Sequence, residues 1–175
     1  MHELRVEDPG TRPKEPHVGG TARGRRVTTQ HIGAAGELLV QYRLLKLGVD
    51  SARLTTDAGI DLVVYSPGDG HATTVQVKTV REPTPAGGRS RLAVGWTFPH
   101  ELRAELLAVA LLSLDEVWLF TLDEARTIAQ QHAATGGRRL YWYTDPDMPQ
   151  RAGRPLKQTD MGDYLLERRA PTLFP

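Results

Sequence analysis

A chain of 175 residues, 39% of them hydrophobic, has room for about one compact domain with tails. Its 22 Lys and Arg against 21 Asp and Glu leave a formal net charge of +1, which excludes a strongly basic, histone-like nucleic-acid binder and leaves room for a locally basic groove. With no cysteine, disulfides, thiolate zinc sites and thiol nucleophiles are excluded. Such cysteine usage suits a reducing compartment, so a cytoplasmic protein is expected. No apolar run reaches the roughly 18 residues of a membrane span, and the N-terminus lacks the apolar segment of a secretory signal.

Residues 1–27 are rich in Pro, Gly and charge without an apolar period, which predicts a flexible N-terminal arm ending in the basic run Arg23–Arg26. From Thr28 the apolar positions Ile32, Ala35, Leu39, Tyr42, Leu45 and Val49 recur at helical spacing, with Thr28 or Thr29 as N-cap and Gly48 as stop. Strands follow over Ala52–Thr56, Ile60–Ser66 and Ala72–Val80, the last two joined by the turn Pro67, Gly68, Asp69, Gly70. A Pro/Gly-rich segment then leads to a strand in "RLAVGWTF". The apolar run "HELRAELLAVALLSL" predicts a largely buried helix. Strand "EVWLFTL", helix "DEARTIAQQHAA" and strand "RRLYWYT" come next, then a loop from Asp145 and a short closing helix in "MGDYLLERR". The expected organisation is an arm over 1–27, a core over 28–144 and a C-terminal extension over 145–175. This order is that of an α/β fold, a mixed sheet with helices on its faces.

The informative part is the hairpin. Alternation puts Asp61, Val63 and Tyr65 on one face of their strand, and Thr74, Gln76 and Lys78 on one face of the partner, with Val75 and Val77 opposite. A four-residue loop makes Ser66 face His71 and so sets Asp61 across from Gln76; a slip of two sets it across from Lys78. Either way an aspartate, an amide and an ammonium converge on one patch of sheet. The preceding helix adds Gly33, Glu37 and Gln41 along one stripe, with Gly33 and Gly36 leaving backbone open to close approach by another chain or a phosphate.

The helix "GAAGELL", then "GID" in a strand, then "QVK" in the next strand resemble the PD-(D/E)xK nuclease superfamily, and within it the small Holliday-junction-resolvase-type endonucleases. The resemblance covers roughly residues 30–80 and implies a restriction-endonuclease-like mixed central β-sheet flanked by helices. It implies catalytic Lys78, Glu37, Asp61 and Gln76, with Mg²⁺, or Mn²⁺ in its place, held by Asp61, Gln76, Val77 through its carbonyl, and Glu37. Lys78 would orient or activate the attacking water. The implied activity is Mg²⁺-dependent endonucleolytic hydrolysis of duplex or branched DNA, with one metal or two, by a chain that resembles relatives acting as homodimers. Gln76 stands where the superfamily usually has Glu or Asp. One negative charge fewer weakens the pull on a hard cation by on the order of a few kcal/mol, although an amide oxygen still ligates Mg²⁺.

The alternative is a catalytically inactive module of the same fold that binds nucleic acid or a protein partner, or an ordinary cross-strand Asp61–Lys78 ion pair. Among other residues, His31 reads as a surface or capping histidine. Trp96, Trp118 and Trp142 read as core, and Thr55 and Thr56 as strand residues able to bond a phosphate. The six histidines lack metal-ligand spacing, so zinc is not expected. Leu106–Leu114 suits either core or interface.

Overall fold

The computed structural model describes residues 26–55, 59–86, 91–147 and 157–175. Most of the expected N-terminal arm and Thr56 lie outside the described residues. Helix α1 (Thr29–Leu45) begins where the sequence provides a cap: the Thr28 hydroxyl accepts from the His31 backbone N–H, and the His31 ring nitrogen Nδ1 accepts from Thr28 N–H at 3.3 Å. His31 is therefore a capping residue. The chain leaves the helix through Gly48, whose φ of +78° is open to glycine at little cost.

Strands β1 (Asp50–Arg53), β2 (Leu62–Tyr65), β3 (Ala72–Val80), β6 (Leu106–Leu111) and β7 (Glu116–Thr121) form a five-stranded sheet in the order β1-β2-β3-β6-β7. Only β3 and β6 pair in parallel; the other neighbours are antiparallel. A second, antiparallel sheet has the order β4-β5-β9-β8, built from β4 (Thr84–Ala86), β5 (Arg91–Pro99), β8 (Gln131–His132) and β9 (Gly137–Tyr143). Helix α2 (Leu122–Ile128) follows β7 directly, capped by Thr121 and Glu124. A 3₁₀ turn (Gln158–Tyr164) and α3 (Leu166–Leu173) end the chain. The fold is thus the expected mixed α/β arrangement, a central mixed sheet flanked by helices, with a second sheet beside it. No helix among the described residues is long and apolar enough to cross a membrane.

The central sheet is covered on both faces. On one side Val40 and Leu44 of α1 and Leu166 and Ala170 of α3 pack on Leu62, Val64, Val75, Val77, Ala108, Ala110 and Leu119. On the other, Leu107, Val109, Leu111, Trp118 and Phe120 meet Val94, Trp96, Phe98, Leu140 and Trp142 of the second sheet. The three tryptophans are core residues in edge-on contact, with centroids 5.3 Å apart for Trp96 and Trp142 and 4.8 Å for Trp118 and Trp142.

Several expectations are corrected. The run around Leu106–Leu111 is a strand rather than a helix, and all six of its residues are buried. A strand buried on both faces is apolar in both parities, so it carries no alternation to separate it from a buried helix. Flanked by β3 and β7 and buried on both faces, Leu106–Leu111 is core rather than interface. The closing helix is divided at Leu165, whose extended backbone bridges Trp118. The buried stripe of α1 is Gly36, Val40 and Leu44, while Tyr42 and Leu45 are more than half exposed.

Gly36 explains that rotation. A Cβ built there would overlap the Thr79 side chain of β3, so the glycine is a point of close helix-to-sheet packing and not an opening for another chain or a phosphate. Gly33, one turn earlier, has nothing within 4 Å of such a Cβ. The two substitutions should therefore have opposite signs. Gly36→Ala is expected to lose about 1–3 kcal/mol through overpacking. Gly33→Ala is expected to gain up to about 1 kcal/mol from helix propensity. Urea denaturation of the two variants checks this.

Candidate functional site

The site begins where the β2–β3 ladder ends. Leu62 faces Val75 and Tyr65 faces Ala72, and the Ser66 N–H donates to His71 O at 2.8 Å, so Asp61 stands across from Gln76. Of the two registers the loop allowed, this is the one the chain adopts. One residue beyond the paired segment the backbone pattern changes. The Asp61 N–H donates to Val75 O at 2.9 Å, and the Val77 N–H donates to the Asp61 carboxylate oxygen Oδ2 at 2.6 Å. A strand N–H without a partner strand would be costly, and the aspartate side chain replaces the missing carbonyl. Such a charge-assisted bond is worth about 1.5–3 kcal/mol, and it fixes the carboxylate beside β3.

Gln76 is 8% exposed, and its amide oxygen Oε1 has no hydrogen-bond partner among the described residues. Leaving an acceptor buried and unsatisfied costs about 1–3 kcal/mol, so it is a position where a ligand could restore the lost interaction. Lys78, two residues on, is half-buried, and its side chain makes no ion pair or hydrogen bond with a described residue. The cross-strand Asp61–Lys78 ion pair is therefore not formed.

Helix α1 contributes through the stripe that the sequence singled out. Gln41 Nε2 donates to Ser51 O at 3.1 Å, and Glu37 Oε2 accepts from Arg53 Nε at 2.7 Å and pairs with Arg53 Nη2 at 2.6 Å. Both contacts tie the helix to β1. The Glu37 side chain is 21% exposed and that of Arg53 39%, so this pair is worth about 0.2–1 kcal/mol and opens readily.

Glu37, Asp61, Gln76, Val77 and Lys78 all line one open pocket of about 640 Å³, together with Gln30, Gly33, Ala34, Arg53, Leu54 and Thr55. The hairpin and the helix thus bring every candidate residue to one cavity. Sequence reasoning did not assign Arg53. Its signal was positional: Arg53 pairs with Leu62, the neighbour of Asp61, and Leu54 N–H donates to Asp61 O at 2.9 Å, so the two ends of this loop meet at the site.

The donors that the pocket offers a cation are all oxygens, the Asp61 and Glu37 carboxylates, the Gln76 amide oxygen and backbone carbonyl. Among the described residues, that donor set suits a hard cation such as Mg²⁺ or Mn²⁺. Among the described residues no three His, Asp or Glu side chains form a metal-holding group, so a cation here would depend on two carboxylates and an amide.

Comparison with protein-family models gives no match, and no curated protein matches the sequence. Among solved structures the fold is similar to that described as "The structure of a bacterial homing endonuclease: I-Ssp6803I", with a TM-score of 0.53 and 17% sequence identity over 84% of this chain and 97% of that one. At this identity the superposition shows a shared fold and no more, and the neighbour that shares it is described as a homing endonuclease.

Proposed function

We propose that the pocket hydrolyses phosphodiester bonds in duplex or branched DNA with Mg²⁺ or Mn²⁺, as a glutamine variant of the PD-(D/E)xK arrangement. The observation that carries this reading is the convergence of Asp61, Gln76 and Lys78, in matched register, with the helix carboxylate Glu37 on one open cavity. The fold shared with a homing endonuclease supports it.

Asp61, Gln76 and Glu37 would hold the cation, which supplies charge to the phosphate and lowers the pKa of a bound water. Asp61 is oriented for this by its bond to Val77 N–H, which leaves the carboxylate little freedom to turn away. The buried Gln76 oxygen would find in the cation the partner it lacks. Lys78, half-buried and without an ion pair among the described residues, would place its ammonium against the charge that builds on the phosphate oxygens as water attacks.

A second reading, a silent module that binds nucleic acid or a protein partner, is favoured by two features of the same pocket. The acid usual at position 76 is an amide, and Glu37 is held by Arg53. The readings separate on Lys78→Ala and Gln76→Glu. For the hydrolase, Lys78→Ala lowers the cleavage rate by about 100-fold or more with the fold intact. Gln76→Glu tightens Mn²⁺ binding by about tenfold or more, because it adds a charge at the site, and cutting is retained. If wild type never cuts and Gln76→Glu creates activity, the silent module is correct.

A further inference from the structure

The pocket contains a cation that the scheme above leaves unused. Arg53 contacts Glu37 with two nitrogens, Nε and Nη2, yet both meet the same oxygen, Oε2. A fork-to-fork pair would engage both carboxylate oxygens. Here the third guanidinium nitrogen, Nη1, and the second carboxylate oxygen, Oε1, make no hydrogen bond with a described residue, and the arginine is 39% exposed on the pocket wall.

The charged side chains that line the pocket among the described residues are Glu37, Asp61, Arg53 and Lys78, two of each sign. A divalent cation approaching this pocket meets a Glu37 carboxylate already paired with Arg53. A phosphate meets a guanidinium that has a planar donor edge to spare and is joined to its carboxylate by a weak, solvent-accessible pair. If the phosphate takes the guanidinium, Glu37 is released, and the pocket gains a carboxylate for the cation at the moment the substrate is in place.

We propose that Arg53 is a nucleic-acid phosphate ligand that holds the Glu37 carboxylate in an ion pair in the DNA-free protein and yields it when DNA binds, so that phosphate binding and cation binding favour one another. This rests on the reading of the pocket as a phosphodiester site, and deepens it. The coupling is reciprocal: DNA raises cation affinity and the cation raises DNA affinity by the same factor. Arg53 acts on Glu37 as a positioning residue and on the substrate as a direct ligand.

The test measures two affinities of the full chain, for wild type, Arg53→Ala and Arg53→Gln. The first is for a fluorescent 30-base-pair duplex in EDTA across a salt series; the second is for Mn²⁺, by electron paramagnetic resonance, with and without that duplex. Removing Arg53 should weaken metal-free DNA binding about fivefold or more and reduce the salt slope by about one. It should also strengthen Mn²⁺ binding to the DNA-free protein severalfold and remove the gain in Mn²⁺ affinity that DNA gives wild type.

Unchanged affinities in both variants, whatever their melting temperatures, would reduce Arg53 to a pin between α1 and β1 and overturn the proposal. So would weaker DNA binding with unaltered Mn²⁺ binding, or a wild type that does not bind the duplex in EDTA. Cleavage by wild type in Mg²⁺ is followed in parallel. Active wild type with both affinities insensitive to Arg53 defeats this inference alone, whereas inactive wild type with both affinities shifted defeats hydrolysis and leaves the Arg53 assignment standing.

Discussion

The hydrogen bond from the Val77 N–H to the Asp61 carboxylate is the contact on which the candidate site depends. Strand β2 begins at Leu62 while β3 runs on to Val80, so β3 extends beyond its neighbour on that edge. An exposed strand edge must be paired, covered or occupied by side chains. Here an aspartate occupies it, and the space opened by the missing strand becomes the pocket. The same carboxylate that completes the backbone of β3 is thereby held at the cavity wall, next to Gln76 and Lys78.

That edge is held in place by the rest of the fold. β3 pairs on its other side with β6, whose residues are wholly buried between α1 and α3 on one face and the second sheet on the other. Because Val75 and Val77 anchor β3 in the first core, the alternate residues Gln76 and Lys78 lie on the opposite face of the strand, and a one-residue shift of register would exchange the two sets. Close packing of α1 through Gly36 against Thr79 sets the depth of the helix, and with it the position of Glu37 over β1. A core constraint and a site constraint thus meet in the same two elements.

Much of this was legible in the sequence because it depends on local rules. The turn residues marked the hairpin, parity put Asp61, Gln76 and Lys78 on one face, the four-residue loop gave the register with Asp61 across from Gln76, and Thr28 and Gly48 bounded α1. What was not legible depended on burial from two sides. Leu106–Leu111 has no alternation, since both of its faces are core, and it reads as a helix. The exposed positions of Tyr42 and Leu45 follow from Gly36, a residue without a side chain to count as apolar yet the one nearest the sheet. Arg53 escaped notice because its meaning lies in a tertiary pair with Glu37, and nothing in the local pattern of β1 announces it.

The proposed function makes Asp61 and its neighbours a cation-dependent phosphodiester site. Its most direct test is cleavage of end-labelled four-way-junction, flapped, linear and single-stranded DNA, and of supercoiled plasmid, by wild type and by Asp61→Asn, in Mg²⁺ or Mn²⁺ and in EDTA. Asparagine keeps an acceptor for the Val77 N–H while it removes the charge. Cutting by wild type with metal, its loss in EDTA, and its loss in a folded Asp61→Asn are the predicted results. Cutting that survives in Asp61→Asn, or a well-folded wild type that binds these substrates and cuts none of them with either metal, would contradict the claim.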